Sequence, residues 1–255
     1  MTEDKTAIDG LYNFRDLGGM PTSGGRIRRG LLFRSEALAG LTEKGKRQME
    51  ASPVRLVLDL RAGQEVKAMP DPDLAGIDNV NIPMLDGSMP LDADDEQRRE
   101  RSSLDAAGLL RQAYLSLIAN NGPDYVQVLH RTAAMAAQGA GTLIHCSAGK
   151  DRTGTSIAFL LDLVGADRGA VIADYASSQA NLSGAWERSM LDQISRAGVQ
   201  MPARLRPMIV LTPPELITQI LDRLDESYGS VAGYLLEMGA DQADIDTLRR
   251  VLVED

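Results

Sequence analysis

Cysteine is nearly missing from this 255-residue chain, which carries one, Cys146. A single thiol excludes an internal disulfide, and with it a small fold held together by cross-links. It suits a reducing compartment. Basic residues are outnumbered, 27 Lys and Arg against 36 Asp and Glu, for a formal charge of −9. That balance argues against a nucleic-acid binder, which needs a basic face. It leaves room for an anionic ligand, because a local positive pocket prevails over a distant negative surface once salt screens the latter. No stretch approaches the roughly 18 consecutive apolar residues of a membrane span. Met1-Thr2-Glu3-Asp4-Lys5 lacks the basic start and apolar run of a secretory signal. The expected place is therefore the cytoplasm, with export by a route that leaves no such signal still open. Fixed-period repeats and low-complexity tracts are absent too. The remainder, 44% hydrophobic and 25% charged, is ordinary for a globular protein long enough to bury a sizeable core.

Along the chain, residues 11–35 are glycine-rich and basic, with a turn expected at Thr22-Ser23-Gly24-Gly25. Thr42 opens a short helix that Pro53 closes. Val54 to Leu60 and Asn79 to Ile82 read as strands, the first ending at Arg61 and the second stopped by Pro83. From about residue 85 to 103 the composition turns acidic and polar, as in an exposed loop or lid. Leu104 to Gln138 reads as helical, with a break at Asn121-Gly122-Pro123-Asp124 and a new N-cap at Asp124. Beyond residue 154 helices predominate: Asp167 caps one, Pro213-Pro214 begin another, and Tyr228-Gly229-Ser230 and Gly239-Ala240-Asp241 are turns. Few strands among many helices predict one α/β domain spanning 1–255, with a helical C-terminal elaboration.

The densest chemistry lies in His145-Cys146-Ser147-Ala148-Gly149-Lys150-Asp151-Arg152-Thr153-Gly154. Gly141 to His145 is an apolar run that reads as a buried strand. Ile157, Leu160, Leu161 and Val164 repeat at helical spacing after it, and Gly165 is the stop. The ten residues therefore form a loop from a strand's end to a helix's start. Unpaired N–H groups and the positive end of the helix dipole converge there on an anion. A thiol followed by five residues and an arginine is what phosphoryl transfer through cysteine requires. The loop curls round a phosphate, Arg152 contacts two of its oxygens, and Cys146 attacks phosphorus from below. The same field is expected to hold Cys146 as its thiolate. Cysteine plus arginine at this spacing is weak alone; His145, Gly149, Thr153 and Gly154 make it specific.

With these residues in view, the chain resembles the bacterial tyrosine phosphatases that carry an H-C-x-A-G-K-D-R-T-G loop. These act on phosphotyrosine and, in some members, on phosphoserine, phosphothreonine or phosphoinositides. The resemblance extends to Asn13-Phe14-Arg15-Asp16-Leu17-Gly18-Gly19, Leu32-Phe33-Arg34-Ser35, Asp59-Leu60-Arg61 and Tyr228-Gly229-Ser230-Val231. It implies a cysteine-phosphatase α/β core, with a central, mainly parallel sheet flanked by helices and extra helices able to cover the site. It implies no metal and no organic cofactor. Carried over residue by residue, Cys146 is the nucleophile and Arg152 the phosphate clamp. The N–H groups of Ser147, Ala148, Gly149, Lys150, Asp151 and Arg152 form the cradle. Thr153 hydrogen-bonds the thiolate and helps it leave, and His145 orders the loop from beneath.

Lys150 and Asp151 depart from the common eukaryotic loop. Lys150 offers a second positive charge, useful for a substrate with more than one phosphate. Asp151 ranks first as general acid, ahead of Asp86, which follows a strand, and Asp59, which ends one. Arg26, Arg28, Arg29 and Arg34 form a basic cluster that either steers phosphate or is simply a solvated hairpin. The leading expectation is a phosphomonoesterase for protein phosphotyrosine with dual specificity in view, and a phosphoinositide phosphatase is the alternative. Thiol-relay arsenate reduction would need further cysteines, and a sulfurtransferase has no need of R-T-G. An inactive phosphate-binding adaptor sits poorly with an intact Cys146 and Arg152. The partner is a phosphorylated protein or a phosphoinositide; the sequence leaves the oligomeric state open.

Overall fold

The computed structural model describes residues 7–85 and 104–255, apart from 197 and 199. Eight strands occur among them: β1 Arg15–Asp16, β2 Pro21–Thr22, β3 Gly25–Ile27, β4 Leu32–Ser35, β5 Val54–Asp59, β6 Asp78–Asn81, β7 Gly141–His145 and β8 Val253–Glu254. The main sheet has the order β1-β4-β7-β5-β6. Strands β4, β7, β5 and β6 run parallel, and β1 joins the edge antiparallel. The fold is thus α/β with a central, mainly parallel sheet, as expected. Period-2 alternation explains the apolar runs. Leu32, Leu56, Leu58 and Ile144 pack into one core cluster, while Phe33, Val57 and Leu143 pack into another. A sheet covered on both faces needs apolar residues at every position.

The helices are α1 Glu43–Glu50, α2 Gly63–Ala68, α3 Ala106–Asn120, α4 Gly122–Ala137, α5 Arg152–Leu163, α6 Arg168–Leu182, α7 Ala185–Arg196, α8 Pro214–Tyr228, α9 Val231–Glu237 and α10 Gln242–Leu252. Many begin where capping chemistry predicts. Thr42 accepts from Gly45 N–H, Asp167 from Ala170 N–H and Ser230 from Gly233 N–H. Gly165 and Gly229 take positive φ at the ends of α5 and α8. One boundary differs. α4 starts at Gly122, after Asn121, whose side chain makes no capping bond, and Asp124 lies in its first turn. Pro123 sits comfortably there because its missing N–H is unpaired in any first turn. Sequence periodicity also does not reveal α2, a short helix opening on glycine, or the small second sheet β2-β3-β8. That sheet ties the N-terminal hairpin to the C-terminus. The expected lid at about 85–103 lies, but for residue 85 at its margin, outside the described residues.

Register positions the site. Ser35 pairs with His145 and Asp59 pairs with His145, so the parallel strands finish level with one another. The loop after β7 thus leaves the carboxyl edge of the sheet, where ligands of α/β proteins gather. It enters α5, which is buried on almost every side and not along one stripe alone. Leu161, fully buried in its last turn, should be expensive to truncate. Leu161→Ala is expected to cost about 2–5 kcal/mol, read as a lower urea midpoint with an unchanged slope.

Candidate active site

Cys146 emerges from β7 at 2% exposure, at the base of a loop that ends at Arg152, the first residue of α5. Gly149 turns the loop at φ +66°, and a Cβ there would stand 2.0 Å from the Ser35 carbonyl oxygen. Only glycine satisfies both the angle and the approach. Among the described residues, the N–H groups of Ser147, Ala148, Gly149, Lys150 and Asp151 donate to no protein acceptor. Successive free N–H groups at a helix start form an anion seat. Thr153 Oγ1 is buried and has no hydrogen-bond partner among the described residues.

Arg152 is held by Glu65, a residue that sequence reasoning did not single out. Its Nη1 donates to Glu65 Oε2 at 2.6 Å and its Nη2 to Oε1 at 2.8 Å. Nη1 also reaches the Leu60 carbonyl at 3.3 Å. Ser147 donates its hydroxyl to the same carboxylate. Glu65 in turn accepts from Ala62 N–H at 2.9 Å, closing the first turn of α2. Burial alone would raise the Glu65 carboxyl. The Arg152 hydrogen bonds and charge, with Ser147 and Ala62, override burial and bring it down to about 2. A bidentate pair fixes the plane of the guanidinium.

Asp151 and Lys150 lie beside the seat. Asp151 Oδ1 accepts from Lys150 Nζ at 2.9 Å and from the Tyr114 hydroxyl at 2.9 Å. Oδ2 has no hydrogen bond among the described residues. Tyr114, from α3, also shares a 2.8 Å bond with Tyr175 of α6. Burial first, then the Asp151 charge, push the Tyr114 phenol well above its ordinary range, so it stays a donor. Lys150 is buried, its ammonium also 3.5 Å from the Leu211 carbonyl. Its charge is thus already matched by Asp151.

Beneath the loop is a second ionic layer. Asp59, a candidate acid from sequence, has both oxygens taken by Arg61, at 2.9 and 2.8 Å. It is buried and does not line the pocket, which counts against that reading. Arg61 also donates to Asp71 at 2.8 Å, and His145 Nε2 lies 3.1 Å from Asp71. His145 Nδ1 is 3.2 Å from the Cys146 carbonyl, consistent with support from below. Asp59, Asp71 and His145 could in spacing hold a metal ion, but Arg61 already supplies their cation. Asp86 lies outside the described residues. Arg34 separates from its expected cluster: it is fully buried under the loop. Arg26, Arg28 and Arg29 are exposed on the hairpin leading into the amino end of β4, opposite the loop.

A pocket of about 360 Å³ opens above Ser147, Ala148, Lys150, Asp151 and Arg152. Its walls are Leu110 and Ala113 of α3, Trp186, Met190 and Ile194 of α7, and Met208 with Ile209. The walls are apolar while the floor is built for an anion.

The chain is similar to known proteins. Residues 6–254 match the tyrosine phosphatase family. The chain is 30% identical to the triple specificity protein phosphatase PtpB of Mycobacterium tuberculosis, over 96% of this chain and 98% of that protein. It is 31% identical to a tyrosine-protein phosphatase of Nostoc commune, over 85% of this chain and 72% of that one. A solved structure of P. aeruginosa TpbA aligns over 88% of both chains at 16% identity and a TM-score of 0.33.

The Glu65 pair yields a test of both rate and stability. Glu65→Gln should release the guanidinium plane and lower kcat/KM on the order of 10²-fold. Because the folded carboxyl lies below its ordinary value, its stabilisation is complete above the unfolded value near 4.5. It fades as pH falls towards about 2. The Tm gap between wild type and Glu65→Gln should therefore shrink on acidification; a gap that widens would contradict the assignment. The chain belongs to the tyrosine phosphatase family.

Proposed function

We propose that this cysteine-dependent protein-tyrosine phosphatase hydrolyses phosphotyrosine in proteins through a phosphocysteine intermediate, acting as one catalytic domain. The observation that carries the reading is the row of N–H groups from Ser147 to Asp151, which meet no acceptor among the described residues, in the loop that follows Cys146. The Cys146 thiolate attacks phosphorus, the S–P bond forms, and the P–O bond to the tyrosine ring breaks. The N–H row and Arg152 take up the equatorial oxygens as charge shifts between the ends. Asp151, at the rim with one oxygen unbonded, gives the leaving phenolate its proton. It then takes a proton from the water that splits the S–P bond. Thr153, buried beside the start of α5, hydrogen-bonds the departing thiolate.

The pocket walls favour an aryl phosphate over an inositol phosphate. Trp186, Met190, Leu110 and Ile209 offer apolar and polarisable surface to a phenyl ring. A sugar-like ring rich in hydroxyls would lose water there without hydrogen bonds in return. Lys150 supports the phosphoinositide alternative less than its charge suggests. A second phosphate would have to draw its ammonium away from Asp151. The relative named triple specificity protein phosphatase is a reason to measure serine and lipid substrates alongside tyrosine ones.

Cys146→Ser is expected to abolish turnover of a phosphotyrosine peptide while retaining its binding; substantial residual turnover would exclude the covalent route. Asp151→Asn is expected to lose about 10²–10⁴-fold on phosphotyrosine. The loss should be far smaller on an aryl phosphate whose leaving group needs no proton. Equal losses on both would take the acid role from Asp151. Side-by-side rates on phosphotyrosine peptides, phosphoserine peptides and phosphoinositides test the preference, and a higher kcat/KM on a phosphoinositide would reverse it.

A further inference from the structure

A row of N–H groups can face inward only if the carbonyls between them face outward and find donors there. Four kinds of donor meet the loop's carbonyls. Ala37 N–H reaches the Ser147 carbonyl at 3.2 Å. The Lys150 and Asp151 carbonyls accept the first helical bonds of α5, from Gly154 and Thr155. The Ala148 and Gly149 carbonyls, at the loop's crest, have no such main-chain donor among the described residues. Their partners are two buried side chains from the N-terminal segment. Asn13 Nδ2 donates to Ala148 O at 3.1 Å and to Gly149 O at 3.2 Å. Arg34 Nη2 donates to Gly149 O at 2.6 Å.

Both side chains are themselves fixed. Asn13 Oδ1 accepts from Arg15 Nη1 at 2.6 Å and from Asn181 Nδ2 at 3.2 Å, which sets the amide's orientation and turns Nδ2 to the loop. The main-chain N–H of Asn13 is gripped by Glu36 at 2.9 Å. Asp174 of α6 holds Arg15 and Arg34 together, at 2.6 Å each. Ser178, one turn on, accepts from both. Asn13 and Arg34 are fully buried and touch the outer side of the loop, so they act on substrate only through it.

We infer that Asn13 and Arg34, locked by Arg15, Asp174 and Ser178, are positioning residues that set the curvature of the phosphate loop, and that this is the task of the N-F-R-D and F-R-S segments. The inference rests on the phosphate-binding reading of that loop. It explains why an N-terminal segment remote in sequence shares the site without entering the pocket. Losing the crest's donors should let the Ala148 and Gly149 peptides rotate, turning N–H groups off the anion. Phosphate affinity and kcat/KM would then fall together, while Cys146, Arg152 and the apolar walls stay in place.

The test uses the full chain and inorganic phosphate as probe. Asn13→Asp keeps the shape and the acceptor towards Arg15 and Asn181, but replaces the donor to the loop with an acceptor. Arg34→Lys keeps the charge opposite Asp174 but not the second reach to Gly149. The readouts are Tm, the concentration of phosphate that protects Cys146 from alkylation by iodoacetamide, and kcat and KM on a phosphotyrosine peptide. Each variant is expected to fold and to need about 10–100-fold more phosphate for protection. KM should rise and kcat fall. Should Arg34→Lys fail to fold, Asn13→Asp carries the test. Variants with a lowered Tm but phosphate protection within twofold of wild type would reduce the pair to ordinary core groups and overturn the inference. Wild type unprotected by phosphate would instead overturn the phosphate-binding reading itself.

Discussion

The main chain of residues 146–152 must keep its carbonyls on one side and its N–H groups on the other, and much of the structure serves that demand. A peptide group cannot turn its N–H inward without turning its oxygen outward, and a buried oxygen without a donor is costly. The level ends of β4, β7 and β5 bring donors to that outer side. Ser35 and Glu36 run on from β4 behind the loop, the Ala37 N–H meets it, and Gly149 permits the close approach to Ser35. α5 supplies further donors by starting immediately at Arg152, and the Asn13 and Arg34 side chains meet the crest.

Around this loop the charges are layered. Arg152 meets Glu65 at the rim, Arg61 meets Asp59 and Asp71 below, and Arg15 with Arg34 meets Asp174 behind. Buried ions are a poor source of net stability, since desolvation offsets much of their attraction, but they are highly directional. Here Arg152, Arg15 and Arg34 each bridge elements far apart in sequence, and Arg61 ties the end of β5 to Asp71. Burial pulls Asp174 and Asp71 upward, yet their cationic neighbours hold both below the ordinary carboxylate range. Glu65, Asp71 and Asp174 therefore stay ionised at neutral pH, and the loop is preorganised before an anion arrives.

The pocket divides its work between floor and walls. In the proposed reading the floor binds the phosphate through main-chain dipoles whatever carries it, and the walls, chiefly side chains of α3 and α7, select the carrier. α7 buries none of its residues fully, and its Trp186, Met190 and Ile194 pack against Leu182, Ile209 and Val210. In the proposed reading, substrate choice rests on a lightly packed helix and phosphate binding on a densely hydrogen-bonded loop.

Local patterns in the sequence were enough to identify the strand–loop–helix unit at 141–164. Each of its parts is set by near neighbours: an apolar run, a glycine needing positive φ, a helical repeat. Cys146 and Arg152 were legible as candidates for the same reason, and the caps at Thr42 and Asp167 were legible too. The partners of the loop were not. Glu65 sits in a short helix that opens on glycine and shows no periodicity. Tyr114 looks like any core aromatic of an apolar helix, and Arg34 resembles its exposed neighbours Arg28 and Arg29. Asp59 looked available as an acid until Arg61 was seen to occupy it. The choice of these groups rests on directions across the sheet's edge, where strands, helices and the N-terminal segment meet. Sequence by itself determined which chemistry this protein carries. Only the tertiary structure decided which buried groups hold that chemistry in place, because each acts on a main-chain oxygen or a fixed charge from a residue far away along the chain.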